Sequence, residues 1–235
     1  MIKTIIRVRM QAGESADPNN RPHAIDDLSR AARNFAASDD TVRGLIISRV
    51  LRAFAPEDDL VVLVGVWTES DLGQSLVAGC VPAELRSKWN LAVAAVSTSE
   101  TVLRKVVEFA THSSQWKVKL AGTAFRRDDF ELDAFFDYWY TVHALIGGSV
   151  PGVGGYVVSR VAEVIEGDED ADAFIEQWYK DEGSFDDAQL TAEAQAAWND
   201  VGNYAKTTGT FWLMGEEVVV RPPDSGPGLL EVKRG

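Results

Sequence analysis

Runs of alternating or continuous apolar residues predict strands, whereas apolar residues at every third or fourth position predict helices. Along this chain the two patterns follow the order strand, helix, strand, strand, helix, strand, and the order occurs twice. In the first half we predict strands at 2–10, 42–53, 60–68 and 93–107, a helix at about 23–37, and helical pieces at 71–90 broken at Pro82. In the second half we predict strands at 118–126, 154–163, 173–180 and 208–220, a helix from Asp128 or Asp129 to about Ile146, and a helix at about 186–198.

An internal repeat accounts for this doubled order. Residues 44–50 (GLIISRV) and 155–161 (GYVVSRV) align without gaps at an offset of 111, and the same offset places Trp67 on Trp178. Because two separate segments share one offset, we interpret the chain as two copies of one unit. The predicted organisation is an N-terminal repeat at 1–110, a C-terminal repeat at 117–220 and a flexible tail at 221–235.

The order of elements in each half is that of a ferredoxin-like fold, in which helices cover one face of an antiparallel sheet. Such a sheet keeps a polar outer face unless something covers it. Here residues 60–67 (LVVLVGVW) are apolar at every position, and residues 210–214 (TFWLM) are nearly so. We therefore predict an α+β fold in which two fused βαββαβ repeats pack sheet to sheet as a pseudo-dimeric α+β barrel.

Composition and charge exclude several classes of function. The 235 residues are 46% hydrophobic and carry 36 acids against 23 bases, a net charge of −13. A nucleic-acid binder or a protein that binds anionic membranes needs a basic surface, so neither partner is expected. The single cysteine, Cys80, leaves no disulfide framework, and no apolar stretch reaches membrane-spanning or signal-peptide length, so a cytoplasmic location is expected. The three histidines are widely spaced, which predicts no metal site.

His143 is the main candidate for catalysis. It shares a helix face with Phe136, Trp139 and Tyr140. A neutral imidazole among apolar rings could serve as a general base near pH 7. The alternative is a buried structural histidine that is hydrogen-bonded to the backbone near the end of the helix.

Other side chains near His143 along the chain are candidates for binding a substrate. Tyr140 could donate a hydrogen bond to a carbonyl or enolate oxygen, and Arg160, which shares a strand face with Tyr156, could neutralise a carboxylate or phenolate. Trp139 and Trp178 could line a pocket for a planar ligand. Each has a structural alternative: core aromatics for the rings, and an ion pair for Arg160, whose counterpart in the first repeat is Arg49.

The second repeat resembles the EthD family of the dimeric α+β barrel superfamily. The resemblance lies in residues 125–130 (FRRDDF), residues 135–144 (FFDYWYTVHA), residues 151–157 (PGVGGYV) and Trp178. The first repeat departs from this pattern, since Ala32 stands where an offset of 111 would place His143. The resemblance implies one of several activities, since relatives include cofactor-free oxygenases, cyclases, dehydratases, isomerases and haem-binding double-repeat enzymes. Only the second repeat is expected to be equipped for chemistry.

Three functions remain open from the sequence. The first is a cofactor-independent enzyme, a lyase or isomerase, in which His143 removes a proton alpha to a carbonyl of an aromatic or polyketide-like substrate while Tyr140 or Arg160 holds the oxyanion. The second is a haem protein with His143 as the proximal ligand. The third is a non-catalytic ligand-binding module. A homodimer is compatible with all three.

Overall fold

The computed structural model describes residues 2–11, 19–54, 59–104 and 116–221. The first half contains β1 (Ile2–Met10), α1 (Arg21–Ser38), β2 (Val42–Ala53), β3 (Leu60–Thr68), α2 (Gly73–Cys80), α3 (Ala83–Trp89) and β4 (Leu91–Arg104). The second half contains β5 (Val118–Ala124), α4 (Leu132–Tyr138), a π-helical segment (Trp139–His143), α5 (Ala144–Gly147), β6 (Gly155–Glu166), β7 (Ala173–Tyr179), α6 (Glu182–Gln189), α7 (Ala192–Val201) and β8 (Phe211–Arg221). The predicted tail lies outside the described residues from position 222 onward.

The first of two compact units comprises, of the described residues, 2–11, 19–54, 59–99, 161–169 and 214–221. Its strands are hydrogen-bonded in the order β8-β2-β3-β1-β4-β6. Every residue of β3 except Gly65 is buried, as expected for a strand that is apolar on both faces. Cys80 is buried in the core of this unit, and burial raises the pKa of its thiol to about 12.

The second unit comprises, of the described residues, 100–104, 116–160 and 170–213. Its strands follow the order β8-β5-β7-β6. All seven residues of β5 and all seven of β7 are buried. One face of this sheet packs on a core rich in aromatic side chains, among them Phe135, Trp139, Tyr156, Tyr179 and Tyr204.

Strand pairing confirms the predicted fold class. In each half the first strand pairs with the third, the third with the second, and the fourth with the first, all antiparallel where the register is defined. This is the ferredoxin-like order, here in an α+β barrel. The compact units assign the ends of β6 and β8 to the first unit, whereas the repeat boundaries at 110 and 117 remain a prediction. No helix in the described ranges is both long and apolar enough to span a membrane.

Two predicted helices differ from the structure. The helix expected from Asp128 or Asp129 begins only at Leu132, because Asp129 binds the Arg127 guanidinium (2.9 and 2.7 Å) and shapes the preceding turn instead of capping the helix. The helix expected at 186–198 is two helices. The second begins after Thr191, whose hydroxyl oxygen accepts the Ala194 N–H at 3.2 Å.

The equivalent tryptophans each lie beside a buried lysine. Trp67 pairs across the sheet with Lys3, and Trp178 pairs with Lys119; the ammonium groups lie 4.7 and 5.5 Å from the ring centroids. Lys119 also forms an ion pair with buried Glu176 at 2.7 Å, whereas the position equivalent to Glu176 in the first half is Gly65. The shared placement favours a packing role for both tryptophans.

Gly122 of β5 offers a direct test of core packing. A Cβ at this position would lie 2.3 Å from Phe211 Cδ1 and 3.0 Å from the Thr210 carbonyl oxygen. We expect Gly122→Ala to lower the free energy of unfolding by about 1–3 kcal/mol, the usual cost of overpacking. Gly202→Ala is the matched control, because nothing lies within 4 Å of its Cβ. Urea denaturation of both variants measures the difference; equal midpoints would contradict the packing described for β5.

Candidate functional site

A cavity lies between the sheet and the helices of the second unit. The cavity volume is about 60 Å³, and the empty space including the open mouth is about 570 Å³. Its lining residues are Leu120, Trp139, His143, Gly147, Val150, Ile175, Gln177, Tyr179, Gln189, Ala194, Ala197, Trp198, Val201, Tyr204 and Phe211. This lining is mostly apolar, as is usual for small-molecule sites, and it contains no lysine, arginine, aspartate or glutamate.

The π-helical segment presents two residues to this cavity. Trp139 and His143 are 2% and 5% exposed, whereas Thr141 and Val142 between them are exposed. The Thr141 hydroxyl donates to the Asp137 carbonyl at 2.6 Å, which gives this turn an additional hydrogen bond. Residues four apart lie on one face of the segment, and π-helical turns are frequent at functional sites.

His143 forms a dyad with Asp200. Its Nδ1 lies 2.9 Å from Asp200 Oδ2, and both side chains are buried. The other carboxylate oxygen of Asp200 accepts hydrogen bonds from the Tyr138 hydroxyl and the Asn203 amide, each at 2.9 Å. Because the carboxylate accepts a hydrogen bond from Nδ1–H, the neutral imidazole keeps its lone pair on Nε2. The dyad therefore holds the tautomer that a general base requires.

Burial and hydrogen bonding set the charge states of the dyad. Burial lowers the pKa of His143 below its ordinary value of 6.5, and Asp200 offsets this only in part. Burial raises the pKa of Asp200, but the hydrogen bonds from Asn203, His143 and Tyr138 together bring it below its ordinary value. At neutral pH the pair is thus a neutral imidazole and a carboxylate, and the base is ready to accept a proton.

Aromatic rings enclose the imidazole. The Tyr204 ring centroid lies 4.9 Å from that of His143, and the Trp139 ring meets it edge-on at 6.1 Å. Burial raises the pKa of the Tyr204 hydroxyl, so it remains protonated at neutral pH. An apolar wall with a few polar groups is suited to a neutral, partly aromatic ligand.

Of the six residues predicted from the sequence, two line the cavity: His143 and Trp139. The other four lie elsewhere in the structure. Tyr156 is fully buried and its hydroxyl accepts from the Trp139 indole at 2.7 Å, so it supports the cavity wall from behind. The roles proposed for all six residues remain predictions.

Tyr140, Arg160 and Trp178 make other contacts. The Tyr140 hydroxyl bonds to Thr101 at 3.2 Å. Arg160 lies 3.0 Å from Asp133 and over the Phe136 ring, which matches the structural alternative given for it. Trp178 forms a small cluster with Val157 and Trp116.

Sequence reasoning did not identify Asp200, Tyr204 or Gln177. Asp200 lies 57 residues after His143, so no local spacing connects them. A weak signal exists: an acidic residue in the last turn of a helix is unfavourable to the helix dipole, and Asp200 occupies the last turn of α7. Gln177, like its neighbour Glu176, is a polar residue in a strand whose residues are all buried, which is a comparable signal.

The fold and its neighbours define the class of protein by its architecture, which is an α+β barrel. An anthrone oxidase-like protein is similar at a TM-score of 0.63, with 10% identity over 96% of both chains. A chlorite dismutase-like protein has a TM-score of 0.53 and 12% identity over 93% of this chain and 95% of that one. An ethyl tert-butyl ether d (EthD) family protein from Bacillus halodurans has 25% identity over 43% of this chain and 99% of that one, at a TM-score of 0.38.

The first two similarities confirm the α+β barrel fold predicted from the sequence. No family model matches the chain, and no curated protein sequence matches it. The assignment of an activity therefore depends on the site itself, since fold does not imply function.

Proposed function

We propose that the second unit is a small-molecule enzyme that works by acid–base chemistry without a cofactor, removing a proton alpha to a carbonyl. The observation that carries the proposal is the 2.9 Å contact between His143 Nδ1 and Asp200, which leaves Nε2 as the base beside the cavity. Among the described residues, none forms a hydrogen bond with Nε2. Positioned bases of this kind contribute about 10²–10⁴-fold to the rate of proton transfer.

The reaction proposed is a dehydration, cyclisation or isomerisation. In each, Nε2 accepts the carbon-bound proton, the electron pair moves to the carbonyl oxygen, and the imidazolium later returns the proton at another position or to a leaving hydroxyl. The carboxylate of Asp200 stabilises the imidazolium that forms. The apolar, aromatic lining supports an aromatic or polyketide-like substrate whose reactive end enters the enclosed part of the cavity while the remainder lies in its open mouth.

Haem, the cofactor of the alternative hypothesis, does not fit the residues present. The Tyr204 ring packs against the imidazole, and Trp139 approaches its edge. A porphyrin coordinated by His143 Nε2 would lie in a cavity whose lining has no lysine or arginine to pair with its propionates. A cytoplasmic location, a tandem-repeat origin and a homodimer remain predictions.

Hydrogen–deuterium exchange tests the proposal without knowledge of the natural substrate. Phenylacetone, an aryl ketone with a benzylic CH₂ beside its carbonyl, is incubated with the protein in D₂O. We expect proton NMR to show loss of the CH₂ signal faster than in buffer, because the dyad removes a proton alpha to the carbonyl. The heat-denatured protein is the control. Binding of the ketone without exchange above that control would contradict the proposal and favour the non-catalytic ligand-binding module.

A further inference from the structure

Tyr204 carries a hydroxyl that the described structure does not use. The residue is 2% exposed and its ring packs against His143, Trp139 and Phe135. No described residue forms a hydrogen bond with its hydroxyl. The hydroxyl oxygen is nevertheless not fully enclosed by protein atoms. Because Tyr204 lines the cavity, the hydroxyl can reach a polar partner there. A buried tyrosine hydroxyl usually has such a partner.

Gln177 presents a second donor of this kind. Its side-chain oxygen accepts a hydrogen bond from the Tyr179 hydroxyl at 3.1 Å, which fixes the orientation of the amide. The amide nitrogen lies beside Gly147, 3.7 Å from the position of a Cβ on that glycine, and Gly147 also lines the cavity. Within the described ranges no acceptor is bonded to this nitrogen. Gln177 is 7% exposed, so an acceptor must come from inside the cavity.

From these two groups we infer that Tyr204 and Gln177 donate hydrogen bonds to the carbonyl oxygen of the substrate. These hydrogen bonds strengthen when that oxygen gains the negative charge of an enolate. This inference rests on the proposed function, in which His143 generates the enolate, and it identifies the groups that hold the charge. Tyr204 and Gln177 replace Tyr140 and Arg160 in that role, because neither Tyr140 nor Arg160 lines the cavity. Donors aimed at a developing oxyanion are a large source of rate enhancement.

The same groups define the substrate class as neutral carbonyl compounds. None of the lining residues is a lysine or arginine, so no cation in the lining would neutralise a carboxylate. The carboxylate of Asp200 lies directly behind His143 and repels an anion. The site is therefore selective for a ketone, ester or quinone-like oxygen over a carboxylate of the same shape.

Three probes of nearly identical shape test this assignment: phenylacetone, methallylbenzene (CH₂ in place of the carbonyl oxygen) and phenylacetate. Their dissociation constants are measured by NMR titration with the full-length protein and with three variants, Tyr204→Phe, Gln177→Leu and the double variant. Gln195→Leu is the matched surface control, since the Gln195 side-chain amide is exposed on α7 and donates to Asn199 at 3.0 Å. Tyr140→Phe is included as the competing hypothesis.

We expect the wild-type protein to bind phenylacetone about tenfold more tightly than methallylbenzene, the effect of two neutral hydrogen bonds, and phenylacetate most weakly. Each single variant should lose about threefold of the ketone preference, and the double variant should lose all of it. Gln195→Leu should keep the full preference. Methallylbenzene serves as the internal check on folding, because its affinity should change little in Tyr204→Phe, in Gln177→Leu and in the double variant.

A ketone preference that survives in the double variant, or that is lost in Tyr140→Phe, overturns the inference. Failure of both neutral probes to bind also overturns it. If exchange at phenylacetone depends on His143 while the preference does not depend on Tyr204 and Gln177, the inference fails and the proposed function stands. If the preference is present without exchange, the binding site stands and the proposed function fails.

Discussion

Replacing His143 with glutamine is expected to lower the rate of phenylacetone exchange about 10²–10⁴-fold, the range found for positioned general bases. Glutamine is the informative substitution because its amide can still donate a hydrogen bond to Asp200, as Nδ1 does. It has no titratable nitrogen near neutral pH. The free energy of unfolding should therefore change by less than about 1 kcal/mol, since no buried acceptor is left unpaired. Exchange rates and urea denaturation of the same samples separate the two effects.

The pH dependence of the wild-type protein provides an independent check. The base acts when neutral, so exchange after subtraction of the buffer rate should be constant above the pKa of His143 and fall as the pH drops through it. Burial lowers this pKa below 6.5, so the decline should lie on the acidic side of pH 6.5. A folded His143→Gln variant that keeps the wild-type rate, or a decline centred above pH 6.5, would contradict the role given to His143.

Asp200→Asn is the second substitution with a large expected effect, again about 10²–10⁴-fold on exchange. An amide in place of the carboxylate can donate to Nδ1, which moves the imidazole proton to Nε2 and removes the lone pair that the reaction needs. The negative charge that stabilises the imidazolium is lost as well. Because Asp200 raises the pKa of His143 against the effect of burial, the remaining acid limb should move to lower pH.

Asp187→Asn on the exposed surface of α6 is the matched control and should keep the wild-type rate. Asn203→Ala tests how the hydrogen bonds to Asp200 contribute. It removes one of the two donors to Asp200 Oδ1 and leaves the other, Tyr138, in place. Its effect should be smaller than that of Asp200→Asn. Equal rates for Asp200→Asn and the wild type would rule out the dyad.

The strands were the most predictable part of the fold. β2 and β3 have the bounds expected from the sequence. β3 is an apolar run with buried residues on both faces, and β2 contains the buried segment 44–48 (GLIIS). The hydrophobic pattern predicted the ferredoxin-like order in both halves. Helix ends were less predictable, since the start of α4 depends on how Arg127 and Asp129 pair, a contact that competes with helix capping.

The site could be predicted only in part. Trp139 and His143 belong to one local pattern, four residues apart, and both line the cavity. The partners of His143 come from distant segments: Asp200 and Tyr204 at the end of α7 and just beyond it, and Gln177 on β7. Only the packing of the second unit brings these segments together. Arg160 looked suited to bind an anion, but Asp133 already neutralises it.

Cys80 makes the chain convenient for labelling chemistry. It is the single cysteine, it is 1% exposed, and burial raises the pKa of its thiol to about 12, so the reactive thiolate is scarce at neutral pH. Thiol reagents should therefore modify it only when the first unit opens, so that the labelling rate measures the frequency of opening. A cysteine introduced at an exposed position would react first, allowing a fluorophore or spin label to be attached at one chosen place without removing the native residue.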